Sequence, residues 1–207
     1  MLRNIALVCI GLVIAYVGYE IFTLYQKYND LDNVGVEYRM GNEDADLSVV
    51  EFLDYGCPYC REVHPTIMQA VAQDGKVDYV PRPVAFLGEK SAHAAIVVYG
   101  AAQQGKFFQM HDAIIANFPD FSDEMLPKIA SEAGVNMIEL QQDIDTQDLQ
   151  EYVISNMDLF KRLGGKATPT FIIDKRIFYV PEGNMPSVED FLTLFAEARG
   201  LKAQESE

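Results

Sequence analysis

The stretch "LSVVEFLDYGCPYCREVHP", Leu47 to Pro65, limits the fold more than any other part of the chain. "LSVVEFL" is short, apolar and β-branched, the pattern of a buried strand. Gly56 interrupts it. Pro58 then takes an early helical position, where a missing N–H does no harm. Val63, Ile67, Ala70 and Val71 form an apolar helical face that runs to about Gln73. A buried strand that turns directly into a helix predicts an α/β fold, with Cys57 and Cys60 in the first turn of that helix.

The remaining pattern extends this unit. "GKVDYVPRPVAF" predicts a strand ending in a proline-rich turn at Pro81 and Pro83. From about Lys90 to Gly164 no strand signal occurs, and five helical segments follow one another. Ser122 and Asn136 offer caps, Glu139 stands three residues after Asn136, and Gly105, Gly134 and Gly164 mark ends. Strands return at "TPTFIID" and "RIFYVP", and Ser187 with Asp190 opens a last helix to Gly200. The expected body therefore spans 47–200 with a helical insertion at about 90–164, followed by a polar tail at 201–207.

Ahead of it, residues 4–19, "NIALVCIGLVIAYVGY", are apolar apart from Asn4 and follow Arg3. With "IFTLY" after Glu20, residues 1–25 predict a signal anchor or a signal peptide. The best match to a cleavage site, Val13-Ile14-Ala15, falls inside the apolar run, which favours the uncleaved anchor. Arg3 keeps the N-terminus cytoplasmic and sends the body across the membrane. Cys9, in mid-run, reads as a small apolar membrane residue. Residues 26–46 are polar and punctuated by Gly, Asn and Asp, as in a linker, with an edge strand offered by "VGVEYRM".

The 207 residues carry 16 basic and 31 acidic side chains, a formal charge of -15, which repels phosphate backbones and argues against a nucleic-acid partner. A chain of this size and apolar content supports one core without a disulfide framework.

Cys57 and Cys60 are thus open to three readings. With His64 they have metal-ligand spacing, but a structural zinc site needs four ligands, and His93 and His111 fall in other predicted helices. A structural disulfide would close a very short loop and stabilise little. A redox pair explains more. Cys57 meets the free N–H groups and dipole of a helix N-terminus, which favour a thiolate, and Cys60, further into the helix, is the expected resolving thiol. His64 is then left as a surface or packing residue. Glu51, six residues before Cys57 in an apolar strand, should have a raised pKa and suits a proton acceptor for Cys60; the alternative is an acid facing water at a sheet edge. Thr168-Pro169-Thr170 opens a strand with a residue that cannot donate to a ladder, and the Thr168–Pro169 bond is open to a cis or a trans reading.

"VVEFLDYGCPYCREVHP", followed by "ATPTFIID", resembles the DsbA-like branch of the thioredoxin superfamily, the exported thiol:disulfide oxidoreductases. The similarity runs from about Gly41 to Gly200 and includes "AFLGEKSAHAAIVVYGAAQQGKFFQMHDAI". It implies a thioredoxin fold with a helical insertion domain. It also implies an attacking Cys57, a resolving Cys60, a buried acid at Glu51, and substrate contacts from Pro58, Tyr59, Thr168 and Pro169. Two positions depart from the strongly oxidising members. Tyr59 replaces a histidine, which removes a charge that would stabilise the Cys57 thiolate, and Thr168 matches the residue of isomerases and some reductases.

The function this predicts is disulfide formation in exported, cysteine-containing proteins of a bacterial periplasm or cell envelope. The chain would be anchored to the inner membrane and reoxidised by a membrane partner such as a quinone-linked oxidase, with no cofactor of its own. The alternative is an isomerase or reductase kept reduced by a membrane electron donor. Such isomerases dimerise through a separate N-terminal domain, for which residues 26–46 leave no room. "CPYC" also occurs in glutaredoxins, which lack the helical block. A copper(I) chaperone would need clustered methionines, whereas Met68, Met110 and Met125 are scattered on predicted helices.

Overall fold

In a computed structural model the structure describes residues 10–20, 22–23, 30–31, 34–41, 44–146, 148–179 and 184–205. The chain divides into two units, Met1–Val34 and Gly35–Glu207.

In the first unit residues 10–20 are helical, and Leu12, Val13, Ile14 and Tyr16 are exposed. Among the described residues no helix is long and apolar enough to cross a membrane. The expected anchor or signal lies partly outside them, and Cys9 wholly so.

Among the described residues the second unit is built on four strands: β1 (Leu47–Leu53), β2 (Val77–Pro83), β3 (Thr170–Ile173) and β4 (Arg176–Tyr179). Their order is β2-β1-β3-β4, with β1 parallel to β2 and antiparallel to β3, and β3 antiparallel to β4. The parallel pair needs a crossover, which helix α1 (Pro58–Asp74) supplies. Pro65 gives no N–H to this helix, yet the helix continues, because Val63, Ile67, Ala70 and Val71 are buried on either side of it. The β3–β4 hairpin turns through Asp174 and Lys175, both at positive φ, which matches the twist of the strands it joins.

Between β2 and β3 the described residues form five α-helices: α2 (Glu89–Ala101), α3 (Phe107–Asn117), α4 (Leu126–Glu132), α5 (Met137–Thr146) and α6 (Leu149–Arg162). They form the expected insertion. Asn136 caps α5, its Oδ1 accepting from Ile138 N and Glu139 N. Gly100 sits where α2 meets α5, and a Cβ there would come within 2.8 Å of Leu140 Cδ1. Buried Asn156 of α6 joins this layer to the sheet. It accepts from Arg82 and donates to the Pro83 carbonyl at 2.9 Å, so the proline-rich end of β2 stays in the strand.

Helix α7 (Val188–Glu205) closes the other face, with Phe191 and Phe195 packed in one core with Val49, Ile67, Tyr79 and Phe171. The expected helix ended at Gly200. The observed one continues through "LKAQE", residues with good helix propensity, so the expected polar tail is mostly helical.

The expected linker also ends early. Val36–Tyr38 forms a 3-10 turn, and the Tyr38 ring packs against Tyr99, Phe107 and Tyr152. The edge strand offered by this segment shrinks to a single bridge, Met40 with Tyr79. The reason lies in β2. The next pairing position along its outer edge is Pro81, which has no N–H to give.

Arg199 of α7 holds both oxygens of Asp74, at the end of α1, at 2.8 Å, and it also reaches Asp46. The guanidinium keeps the Asp74 carboxyl below the usual carboxylate range. Stability from this pair is present above the unfolded carboxylate pKa and is lost as pH falls through the lower folded value. Arg199→Ala should therefore lower the unfolding free energy by about 1 kcal/mol at neutral pH. In urea titrations the deficit should vanish in acid.

Candidate active site

The site assembles where the C-terminal end of β1 meets the start of α1. Glu51 pairs across the sheet with Pro81 on one side and Phe171 on the other, so it lies in the central part of the sheet. It is 1 % exposed, which rules out the sheet-edge reading. The Tyr79 hydroxyl donates to Glu51 Oε2. Burial is the main influence on this carboxyl and raises its pKa to about 7, against the opposing effects of the Tyr79 hydrogen bond and the His64 charge.

Asp54, absent from the sequence-based site, shapes the loop. It is fully buried, and its Oδ1 accepts from Gly56 N at 2.8 Å while Oδ2 accepts from Leu87 N at 2.9 Å. Its carbonyl accepts from Cys57 N at 2.8 Å. One carboxylate thus ties the cysteine loop to the loop after β2. Gly56 suits this junction, since a Cβ would lie 2.7 Å from Ser91 Oγ and would displace that side chain. Arg61 Nη1 donates to the carbonyls of Tyr55 and Gly56 and closes the turn from the helix side.

Both thiols are free, and their environments differ. Cys57 is the N-cap of α1, with Pro58 in the first helical turn. Its pKa falls to about 6. The Cys60 thiol, donating to the Cys57 sulfur, is the largest cause, and N–H groups of Cys60 and Tyr59 and the Thr168 side chain add to it against burial. Cys60 is 1 % exposed, and its pKa is raised well above the thiol norm by burial first, then by its bond to Cys57 and the Glu51 charge. The pair therefore has one acidic and one inert thiol.

Thr168 and Pro169 face this pair from the start of β3. The Thr168–Pro169 bond is cis, and the Cys57 thiol donates to Thr168 O at 3.2 Å. Pro58 and Tyr59 are exposed beside Cys57, and Leu87 and Phe86 extend an apolar rim from the neighbouring loop. The structure thus brings together Glu51, Cys57, Pro58, Tyr59, Cys60, Thr168 and Pro169.

His64 is buried on α1, as a packing residue would be, with Nε2 3.0 Å from Asp112 Oδ1. It meets His111 of α3, on a separate helix as expected, because α1 and α3 pack together. His93 lies elsewhere, 3.4 Å from Asp123. Met110 is fully buried and Met68 packs against the core, as core-filling methionines do.

A thioredoxin sheet with a helical insertion and a C-x-x-C pair at a helix start defines the DsbA-like class of thiol–disulfide oxidoreductases. The chain belongs to the thioredoxin family, whose profile matches residues 33–193. It is similar to disulfide bond formation protein D of Bacillus subtilis, 26 % identical over 150 residues, covering 67 % of this chain and 68 % of that protein. A solved thioredoxin-like oxidoreductase from Silicibacter pomeroyi is 30 % identical, with a TM-score of 0.68 over 78 % of this chain and 91 % of that one. The thiol-disulfide exchange protein alpha-DsbA2 of Wolbachia pipientis is 27 % identical, with a TM-score of 0.73 over 90 % and 98 % of the two chains. Na(+)/H(+) antiporters match as well. NhaA 3 of Salinispora tropica is 25 % identical over 165 residues, which are 79 % of this chain and 25 % of the antiporter. The chain thus spans about a quarter of the length of that curated relative.

The raised Glu51 pKa gives a signed prediction. Its contribution is intact below the ordinary carboxylate pKa of about 4.5 and is lost as pH rises through about 7. Glu51→Gln should therefore be as stable as the parent in acid. At pH 8 it should be more stable by on the order of 3 kcal/mol in urea unfolding of the reduced protein.

Proposed function

We propose that the protein forms disulfides in exported, cysteine-containing proteins through the Cys57–Cys60 pair. The observation that carries this reading is the contrast between an acidic Cys57 and an inert Cys60. In the oxidised enzyme a substrate thiolate attacks Cys57 Sγ. The Cys57–Cys60 bond breaks, a mixed disulfide forms, and the Cys60 sulfur leaves and takes a proton from Glu51. A second substrate thiolate then attacks the substrate sulfur of the mixed disulfide. Cys57 leaves as a thiolate, the substrate gains its disulfide, and the enzyme keeps the two electrons as a dithiol. A thiol with a pKa of about 6 is a good leaving group at neutral pH, so transfer to substrate is favoured.

Reoxidation requires an acceptor for those electrons, for which we assign a quinone-linked oxidase in the membrane. The apolar run after Arg3 supports export and retention at the inner membrane, with the body in the periplasm or cell envelope. Tyr59, Pro58, Leu87 and Phe86 offer an apolar rim for an unfolded substrate, and Thr168 and Pro169 offer backbone beside the reacting sulfur.

Trapping thiols in cells with acid and an alkylating agent should find Cys57 and Cys60 mostly oxidised. A mostly reduced pair would reverse the assignment in favour of an isomerase or reductase. Cys60→Ala should accumulate mixed disulfides through Cys57, visible on non-reducing gels. Failure to form them would remove Cys57 as the attacked sulfur.

A further inference from the structure

We propose that His64, His111 and Asp112 form a binding site for a divalent transition metal of the zinc class, between the active-site helix α1 and the insertion helix α3. One ligand atom from each residue lies within 4.8 Å of the other two. The imidazole rings of His64 and His111 meet edge to face, with centroids 5.1 Å apart. His111 is fully buried and His64 is 8 % exposed, yet among the described residues His64 Nδ1 and His111 Nε2 have no hydrogen-bond partner. Two buried ring nitrogens without partners are a cost that native interiors generally avoid.

An ion pair between His64 and Asp112 accounts for their 3.0 Å contact but not for these nitrogens. A charged His64 would bury an N–H without an acceptor, and His111 would still lack a partner. A metal ion would use the lone pair that His111 Nε2 leaves over, with the His64 ring and the Asp112 carboxylate beside it. In the neutral form each imidazole presents one lone pair, and Asp112 adds a carboxylate. Two imidazoles and a carboxylate suit zinc better than magnesium or calcium, which take oxygen ligands, or copper(I), which takes sulfur.

The surroundings also fit. The Tyr55 hydroxyl lies 2.8 Å from His111 Nδ1 and fixes that ring through its second nitrogen, as outer partners of metal-bound histidines do. The Asp112 side chain is 54 % exposed, so it provides an entry path and can swing inward. Ligand atoms around zinc stand about 3.4 Å apart at normal bond lengths, so the ligand atoms must draw together to hold the ion, and Asp112 is the exposed member that can move. The redox thiols are not among its ligands, and the site does not depend on the function proposed above.

The test uses the full chain with Cys9 alkylated and Cys57–Cys60 oxidised, so that no thiolate competes. After removal of metals with a chelator, cobalt(II) should bind at one equivalent. It should give visible ligand-field bands without a sulfur charge-transfer band, and zinc should displace it. Asp112→Asn, at a half-exposed position, should weaken binding by about tenfold or more. His111→Gln should abolish it, and zinc should raise the melting temperature of the parent but not of this variant. If the oxidised parent takes up no stoichiometric cobalt, or if Asp112→Asn binds it as tightly as the parent, the site does not exist.

Discussion

At the first turn of α1, the contact between the Cys60 thiol and the Cys57 sulfur is the largest influence lowering the Cys57 pKa, and it is second to burial in raising that of Cys60. It stabilises the Cys57 thiolate and, by the same contact, holds the Cys60 proton in place. That arrangement requires Cys57 at the helix edge, with N–H groups aimed at it, and Cys60 shut away behind it. The strand-to-helix turn provides the first, and burial against the sheet provides the second. Asp54 fixes the turn by accepting from Gly56 and Leu87 together. Glu51, placed in the sheet by β1, adds the charge that further disfavours a Cys60 thiolate.

The insertion contributes to this geometry rather than decorating it. Asn156 and Arg82 bind the last helix of the insertion to the end of β2, next to the loop that carries Phe86 and Leu87. The rim beside Cys57 is thereby built partly from sheet and partly from helices. On the far side, α7 packs Phe191 and Phe195 into the sheet core, and Arg199 fastens it to the end of α1. The active-site helix is therefore held at its start by Asp54 and at its finish by Arg199.

Much of this was legible in the sequence, because local pattern and global packing agree. The β-branched run before Gly56, Pro58 in the first turn and the return of strands at Thr170 each state their structure within a few residues. Glu51 was legible as a buried acid because the residues flanking it in the strand, Val49, Val50, Phe52 and Leu53, are apolar. Asp54 was not. An aspartate before Tyr55-Gly56 reads as an ordinary turn residue, and its second partner, Leu87, is far along the chain. Tyr38 was hidden in a polar stretch, since its aromatic partners come from three distant helical positions. His64 and His111 were read as separate because they lie on different helices, and the packing of α1 on α3 puts their rings in contact. Residues far apart in sequence that meet through helix packing leave no periodic mark.

The central claim is the asymmetry of the two thiols, and a pH titration of thiolate absorbance in the reduced protein tests it most directly. Cys57→Ser and Cys60→Ser serve as references that assign each step. The predicted result is one ionisation near pH 6, absent in Cys57→Ser, with Cys60 remaining protonated well above the ordinary thiol range. A first ionisation near pH 8.5, the value of a free cysteine, or one that survives in Cys57→Ser, would contradict the account.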